Sequence, residues 1–303
     1  MKIIRLVTIV GILLLWTLRS FAEDPILVGV LEQPQSCSEK KEISARVLFH
    51  KEGNKWNAFG VSGSNRPSTD WEINSIRWTI AFDGKNLGTV QIEDPSANTK
   101  FINDWYYRRD KLHVISKAST PPKIDNKSKS FSGWCSTPDF RPLAIVSRPN
   151  FKDPDMWKPF EPGDSYKQRL YPFLKVAIGR LNLIRCLHEP IYHSVPYDFK
   201  PLEAVLYKCY RSSKGKELIS IGLDIKKINC DGPIAPEWSR NWFLLNKDNV
   251  DFIGREMELI EAGDYDNDGN SELLFWYSGY NQDGYILIYN DFRESANYLW
   301  GYH

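Results

Sequence analysis

Hydrophobic and polar residues alternate with a period of two along most of the chain. The segment "WTIAFDGKNLGTVQIED" (78–94) shows this pattern on both sides of Asp83-Gly84. Alternation around a two-residue turn predicts a β-hairpin. The same scheme predicts hairpins around residues 52–54 and 213–215. Short strands separated by polar turns are typical of sandwiches, barrels and propellers. We therefore expect an all-β, mainly antiparallel fold, either β-propeller-like or a β-sandwich.

One segment departs from the two-residue period. Residues 164–188 read "DSYKQRLYPFLKVAIGRLNLIRCLH", which suits either a capped helix that Pro172 breaks or a pair of strands. Polar and proline-containing stretches precede it from residue 119 onwards. They suggest a division into an N-terminal β region (23–145) and a C-terminal β region (146–303). These regions form either one compact domain or two closely packed halves.

The first 22 residues have the features of a cleavable secretory signal peptide. Lys2 and Arg5 precede an apolar run of thirteen residues, 6–18, and Ala22 ends a cleavage site of small residues. Spanning a bilayer takes about 20 apolar residues. No later stretch of the sequence is long and apolar enough to do so. We therefore expect an extracytoplasmic protein, periplasmic or secreted, with no membrane span after cleavage.

Composition narrows the expected partners. Cleavage removes Lys2, Arg5 and Arg19 and changes the formal net charge from +1 to −2. A nearly neutral chain gives no reason to expect a nucleic-acid partner. The aromatic share of 14%, which includes 11 Trp, suits β-rich packing and supplies rings that can stack on sugars. The expected ligand is therefore a protein or a glycan of unknown identity.

Five cysteines lie beyond the signal peptide: Cys37, Cys135, Cys186, Cys209 and Cys230. Export exposes thiols to an oxidising environment, so disulfide bonds are expected, and the odd number leaves at least one cysteine unpaired or bonded to another chain. The simplest pairing joins the first two and links two of the other three. No two cysteines lie within four residues of each other, which excludes the usual spacing of a zinc site.

The densest group of acids lies in "GDYDNDGNSELLF" (263–275). Alternate spacing lets a tightly turning backbone aim several carboxylates at one point, and Gly269 permits the sharp turn. A hard divalent cation prefers six to eight oxygen ligands, and an all-oxygen set favours Ca²⁺ over zinc or copper. Counted from the first aspartate, positions one, three, five, seven and nine are Asp264, Asp266, Asp268, Asn270 and Glu272. We predict that these five residues bind one Ca²⁺ ion in a structural role.

Two families of calcium loop share this spacing, and the end of the loop separates them. An EF-hand needs a bidentate Glu at position twelve and a helix on each side. Here Phe275 holds position twelve, and the flanking sequence is strand-like. "EAGDYDNDGNSELLFW" instead resembles the FG-GAP repeat, the calcium-loop motif of integrin-type β-propellers and of many secreted bacterial proteins. The resemblance covers residues ~255–292 once, with Glu272 in place of the usual Asp at position nine.

The resemblance implies a calcium-binding loop between the first two strands of a blade, and it implies no catalytic residue. In that arrangement the strands after the loop occupy residues 272–279, 285–290 and about 296–302, with a turn at 281–284.

Catalytic motifs in the chain are incomplete. The histidines of "HEPIYH" (188–193) are five residues apart, whereas a zinc-protease helix needs a separation of four. "GVSGS" (60–64) lacks the glycine that a nucleophile elbow needs two residues after its serine. The sequence favours a non-catalytic binding or surface-associated module with a structural calcium loop. The alternative is an extracytoplasmic hydrolase acting on glycans, which needs two carboxylates across a cleft, drawn from acids such as Glu72, Asp104 and Asp110.

Overall fold

Antiparallel β-strands make up most of the regular structure of the protein. The computed structural model describes residues 26–32, 44–59, 75–92, 115–117, 141–179, 184–187, 193–196, 198–223, 240–279 and 282–301. The predicted signal peptide, the "GVSGS" segment and the acids Glu72, Asp104 and Asp110 lie outside these residues.

The strands and the helix follow one another in a single series along the described residues. In chain order they are β1 (Leu27–Glu32), β2 (Ser44–Glu52), β3 (Lys55–Ala58), β4 (Arg77–Phe82), β5 (Lys85–Gln91), β6 (Ile115–Lys117), β7 (Leu143–Val146), β8 (Lys158–Pro159), α1 (Ser165–Ile178), β9 (Ile184–Leu187), β10 (His193–Pro196), β11 (Ala204–Arg211), β12 (Glu217–Leu223), β13 (Asn241–Asn246), β14 (Asn249–Arg255), β15 (Met257–Gly263), β16 (Glu272–Gly279), β17 (Gln282–Tyr289) and β18 (Glu294–Gly301). A 3-10 turn, Pro201–Glu203, precedes β11.

These strands form three large open sheets and one small one. The first sheet has the order β3-β2-β1-β7-β4-β5, with β6 paired to β2. The middle sheet has the order β14-β13-β12-β11-β8, and the C-terminal sheet is the simple meander β15-β16-β17-β18. Strands β9 and β10 pair only with each other among the described strands. The predicted all-β, mainly antiparallel class is confirmed, and the open sheets stack in the manner of a sandwich.

The C-terminal sheet lies between the other two large sheets. One of its faces packs on the first sheet, where Trp276 and Tyr285 meet residues such as Val30. Its other face packs on the middle sheet, where Phe275 meets Trp242 with ring centroids 5.3 Å apart. Burial on both faces explains the unbroken apolar run at the start of β16, because neither side of that strand meets water.

The hairpins predicted from the turn residues are confirmed. In β4–β5, Phe82 pairs with Lys85 around a two-residue turn, and both Asp83 and Gly84 have positive φ, 50° and 71°. This mirror-image turn matches the twist of antiparallel strands. Hairpins also form at the other two predicted positions, between β2 and β3 and between β11 and β12.

The segment left open as a helix or a pair of strands forms a helix followed by one strand, whose partner, β10, lies beyond the segment. Residues 165–178 are the helix α1, which packs Leu170, Leu174 and Ile178 on the middle sheet. Strand β9 follows within the same segment. The expectation that Pro172 breaks the helix is wrong. Pro172 lies on the exposed outer face, where water can reach the carbonyl that loses its hydrogen bond.

The predicted start of the strand after β16 needs correction. Strand β16 spans residues 272–279 as predicted, but β17 already begins at Gln282, so the turn predicted at 281–284 is too long. Asp283 and Gly284 lie inside β17, opposite Ser278 and Tyr277. The polar residues suggested a turn, but this end of the sheet buries Asp283 to 1% exposure.

The expected disulfides have no counterpart in the part of the chain that the structure describes. Cys209 is a free, buried thiol on β11. Burial raises the pKa of this thiol to about 12, so it stays protonated and inert at neutral pH. The predicted Cys37–Cys135 pair lies outside the described residues.

Candidate metal centre

The acidic loop connects β15 to β16, at one end of the C-terminal sheet. Gly263 ends β15 and pairs with Glu272, the first residue of β16. A Cβ atom at Gly263 would overlap the ring of Phe151, so only glycine fits at this position. The backbone N–H of Asp264 then donates to the carbonyl of Lys152 at 2.9 Å. Strands on both sides of the loop exclude an EF-hand, which requires helices.

Three aspartates converge at the loop. Asp264, Asp266 and Asp268 each offer a carboxylate oxygen, and these oxygens all lie within 4.8 Å of one another. Asp264 is buried, whereas Asp268 is exposed, so the group opens from the protein interior towards solvent. How well a cation would fit depends on the hydrogen bonds and backbone conformation of the loop.

Backbone N–H groups hold the three carboxylates in place. Asp264 accepts from the N–H groups of Asp268 and Gly269 at 3.0 and 2.9 Å. Asp266 accepts from Asp268 at 3.1 Å, and Asp268 accepts from Asn270 at 2.8 Å. Each carboxylate oxygen has a second lone pair, so these hydrogen bonds leave acceptor capacity for a cation.

Two backbone positions let the loop turn back on itself. Asn267 and Gly269 adopt positive φ of 62° and 89°. Glycine adopts this conformation without strain, and asparagine tolerates it better than most residues. Asn267 and Gly269 therefore have a conformational role in the loop, beside the chemical role of the aspartates.

Glu272 lies at the inner end of the loop and is 2% exposed. Its Oε2 accepts the N–H of Tyr265 at 2.8 Å. Burial raises the pKa of Glu272 to about 9, and the negative charges of Asp266, Asp268 and Asp264 act in the same direction. Burial also raises the pKa of Asp264, although its backbone hydrogen bonds oppose the change. A nearby cation would favour the ionised forms of both carboxyl groups and so lower their pKa values.

The loop is anchored to the core at both ends. The Tyr265 side chain is fully buried and packs on Phe151 with ring centroids 5.4 Å apart. The Ser271 hydroxyl donates to Asp153 Oδ1 at 2.6 Å. The exposed tip between these anchors, residues 267–270, is therefore held on a rigid base, which favours a preformed site.

Lys51 supplies a positive charge to the acidic loop, and no sequence pattern predicts it. It lies on β2 of the first sheet, 215 residues away from Asp266, and its Nζ forms an ion pair with Asp266 Oδ2. The same Nζ lies 5.9 Å from the centroid of the Trp56 ring. No local pattern could reveal this contact, because it depends on how the first and C-terminal sheets stack.

The five residues predicted as ligands are not equivalent in the structure. Asp264, Asp266 and Asp268 form the close group, and Glu272 is not one of its members. Asn270 lies at the exposed tip, where its N–H donates to Asp268. The oxygen-only donors and the excess of negative charge fit a hard divalent cation. Bound Ca²⁺ would supply charge neutralisation and cross-linking of the loop.

Other candidate sites from the sequence give no catalytic geometry among the described residues. His193 belongs to strand β10, so it cannot be part of a zinc-protease helix. In the aromatic run "FWYSGY", Phe275 and Trp276 are buried core residues. His50 is also buried, and its Nε2 lies 3.3 Å from Glu52 Oε1.

Comparison with protein-family models, with curated proteins and with solved structures finds no match to this chain. Within the residues that the structure describes, no helix has the length and apolar character needed to cross a membrane.

Proposed function

We propose that the protein is an exported calcium-binding β scaffold in which the loop from Asp264 to Glu272 holds one structural Ca²⁺ ion. On this proposal it works as a non-catalytic binding or surface-associated module that presents a protein or glycan ligand site. Export is supported by the signal-like sequence of residues 1–22. N-terminal sequencing of the mature protein tests this part, because export by this route leaves residue 23 at the start.

The observation that carries the proposal is the convergence of three carboxylates beside a fourth, buried one. The group of three lies within 4.8 Å, and Glu272 has a pKa of about 9 because its surroundings disfavour a negative charge. The three aspartates repel one another when ionised, and their charges also disfavour ionisation of Glu272. A divalent cation offsets that repulsion. The repulsion between the carboxylates and the all-oxygen ligand set therefore both favour a divalent cation.

A structural role follows from where the ion would lie. The loop joins two adjacent strands of the sheet that fills the centre of the stack. Its backbone N–H groups already bind the carboxylates from within, so an ion among them would stiffen the turn. Outside the cell, where calcium is abundant, a site of about 10⁻⁴–10⁻³ M affinity remains occupied.

Calorimetric titration with Ca²⁺ tests the proposal. We expect saturable binding of one ion to the wild-type protein. Asp268→Asn should weaken the affinity by about tenfold or more, because it removes one charged ligand from an exposed position with little effect on packing. Asp251→Asn is the matched control: it removes the same charge from an exposed site on β14 and should leave binding unchanged. Absence of saturable binding to the wild-type protein would refute the calcium function.

A further inference from the structure

Lys51 connects two sheets that are distant in sequence. It lies near the end of β2, where its backbone N–H donates to the carbonyl of Ile26 at 3.0 Å and its partner across the hairpin is Trp56. Its side chain leaves the first sheet and reaches the acidic loop of the C-terminal sheet. Only 16% of the side chain is exposed, so the ammonium group is largely removed from water and paired with Asp266.

The ammonium group occupies the part of Asp266 that a metal ion would need. Asp266 Oδ1 accepts the N–H of Asp268, while Oδ2 binds Lys51 Nζ. The Asp266 side chain is only 2% exposed, so few other directions of approach to its carboxylate remain. A divalent cation bound among the three aspartates would face the Lys51 charge at close range, where like charges repel strongly.

We propose that Lys51 and Ca²⁺ are alternative partners of Asp266, so that the lysine acts as a built-in competitor of the ion. The inference rests on the calcium function proposed above. In the metal-free state the ammonium group offsets part of the charge of the loop and ties it to the β2–β3 hairpin. Calcium binding expels the ammonium group, so occupancy of the loop is coupled to the contact between the first and C-terminal sheets.

The coupling has two measurable consequences. Calcium affinity is held below the value that the acidic ligands alone would give, because part of the binding free energy is used to displace Lys51. The surroundings of Trp56 change when the ion binds, because the ammonium group 5.9 Å from its ring moves away.

Lys51→Met is the variant that isolates the competition. Methionine keeps an unbranched apolar stem of similar length and removes the charge. Lys55→Met is the matched control, because Lys55 lies on the same hairpin, is exposed and loses the same charge. In calorimetric titrations with Ca²⁺, we expect Lys51→Met to bind about tenfold more tightly than the wild type, within the range typical of coupled sites. Lys55→Met should change the affinity by less than about twofold, as expected for a screened surface charge.

The outcomes separate this inference from the calcium function. If the wild type binds Ca²⁺ and Lys51→Met binds no more tightly than Lys55→Met, the competition is refuted and the calcium function stands. If neither the wild type nor Lys51→Met binds Ca²⁺, both are refuted. Binding by Lys51→Met alone would overturn both proposals for the wild-type protein, because the lysine would then exclude the ion instead of exchanging with it.

Fluorescence of the wild-type protein gives a second test that does not depend on how the lysine variant folds. Calcium should alter the tryptophan emission of the wild type, and Trp56→Phe should lack that part of the change. Calcium binding that produces identical emission changes in the wild type and in Trp56→Phe would overturn the displacement of Lys51.

Discussion

Two buried glutamates of the same hairpin have different electrostatic surroundings. Glu261 accepts the N–H groups of Asp83 and Gly84, both at 2.8 Å, and pairs with Arg141 at 2.9 Å. Burial raises its pKa to about 7, and these partners limit the rise. Glu272 accepts one backbone N–H and has acidic neighbours, and its pKa rises to about 9. Glu261 is therefore satisfied within the fold, whereas no positive side chain pairs with Glu272 among the residues that the structure describes.

The proton on Glu272 should make the stability of the metal-free protein depend on pH. In the metal-free protein its pKa of about 9 keeps it protonated at pH 7, whereas the unfolded chain ionises near the usual 4.5. The folded state thus binds the extra proton between these values, and stability falls as pH rises through that window. The loss amounts to about 3 kcal/mol between pH 4.5 and pH 7. Glu272→Gln should abolish it, as measured by denaturant unfolding in chelator.

Calcium should also release this proton when it binds at pH 7. Calorimetry in two buffers of different ionisation enthalpy measures the release, which Glu272→Gln should lack. The exposed Glu161→Gln serves as the control and should behave as the wild type. A pH dependence of stability that is identical in the wild type and Glu272→Gln would contradict this account of the site.

For individual residues, the sequence predicts which side chains could bind a metal ion but not which other side chains contact them. The alternation of Asp264, Asp266 and Asp268 is a local pattern, and the structure brings these carboxylates together. Lys51 could not be predicted, because its contact with Asp266 spans 215 positions and depends on sheet stacking. The burial of Glu272, which sets its pKa, likewise depends on strands far away in the chain.

At the scale of elements, turn chemistry predicted the hairpins and burial decided the exceptions. Positive φ at Asp83 and Gly84 is a local requirement, so the β4–β5 turn could be predicted from the sequence. Asp283-Gly284 has the same composition but lies within β17, because that strand continues to Gln282 and pairs with β16 and β18. Tertiary pairing overrode the turn preference there.

The helix gives a prediction of its own. Pro172 lies in the interior of α1 on the solvent side, where it removes one backbone hydrogen bond without disturbing Leu170 or Leu174. Alanine is favoured over proline by about 3 kcal/mol inside a helix, and the greater freedom of the unfolded chain offsets up to about 1 kcal/mol of that. Pro172→Ala should therefore stabilise the protein by roughly 2 kcal/mol in urea unfolding.

A control in the same region separates helix propensity from a general effect of losing a proline. Pro162 is half-buried and lies just before the helix, so Pro162→Ala should not stabilise the protein. If Pro172→Ala is no more stable than the wild type, the continuous helix through residue 172 would be contradicted.

At the scale of the whole molecule, the acidic loop lies where the layers meet. It extends the central C-terminal sheet, contacts the first sheet through Lys51, and packs Tyr265 on Phe151 in the core between those two sheets. A short surface loop with these contacts can influence how two sheets hold together. The alternating pattern predicted the class of fold but not the order of the sheets, because stacking depends on which apolar faces meet.

The central claim is that this loop binds calcium and that the ion stabilises the fold. Thermal unfolding of the wild-type protein in excess Ca²⁺ and in excess chelator tests it most directly. At calcium concentrations about 100 times the dissociation constant, the midpoint should be roughly 5 °C higher than in chelator. Asp266→Ala should show no such difference between the two conditions. A wild-type midpoint that is the same with calcium and with chelator would contradict the claim.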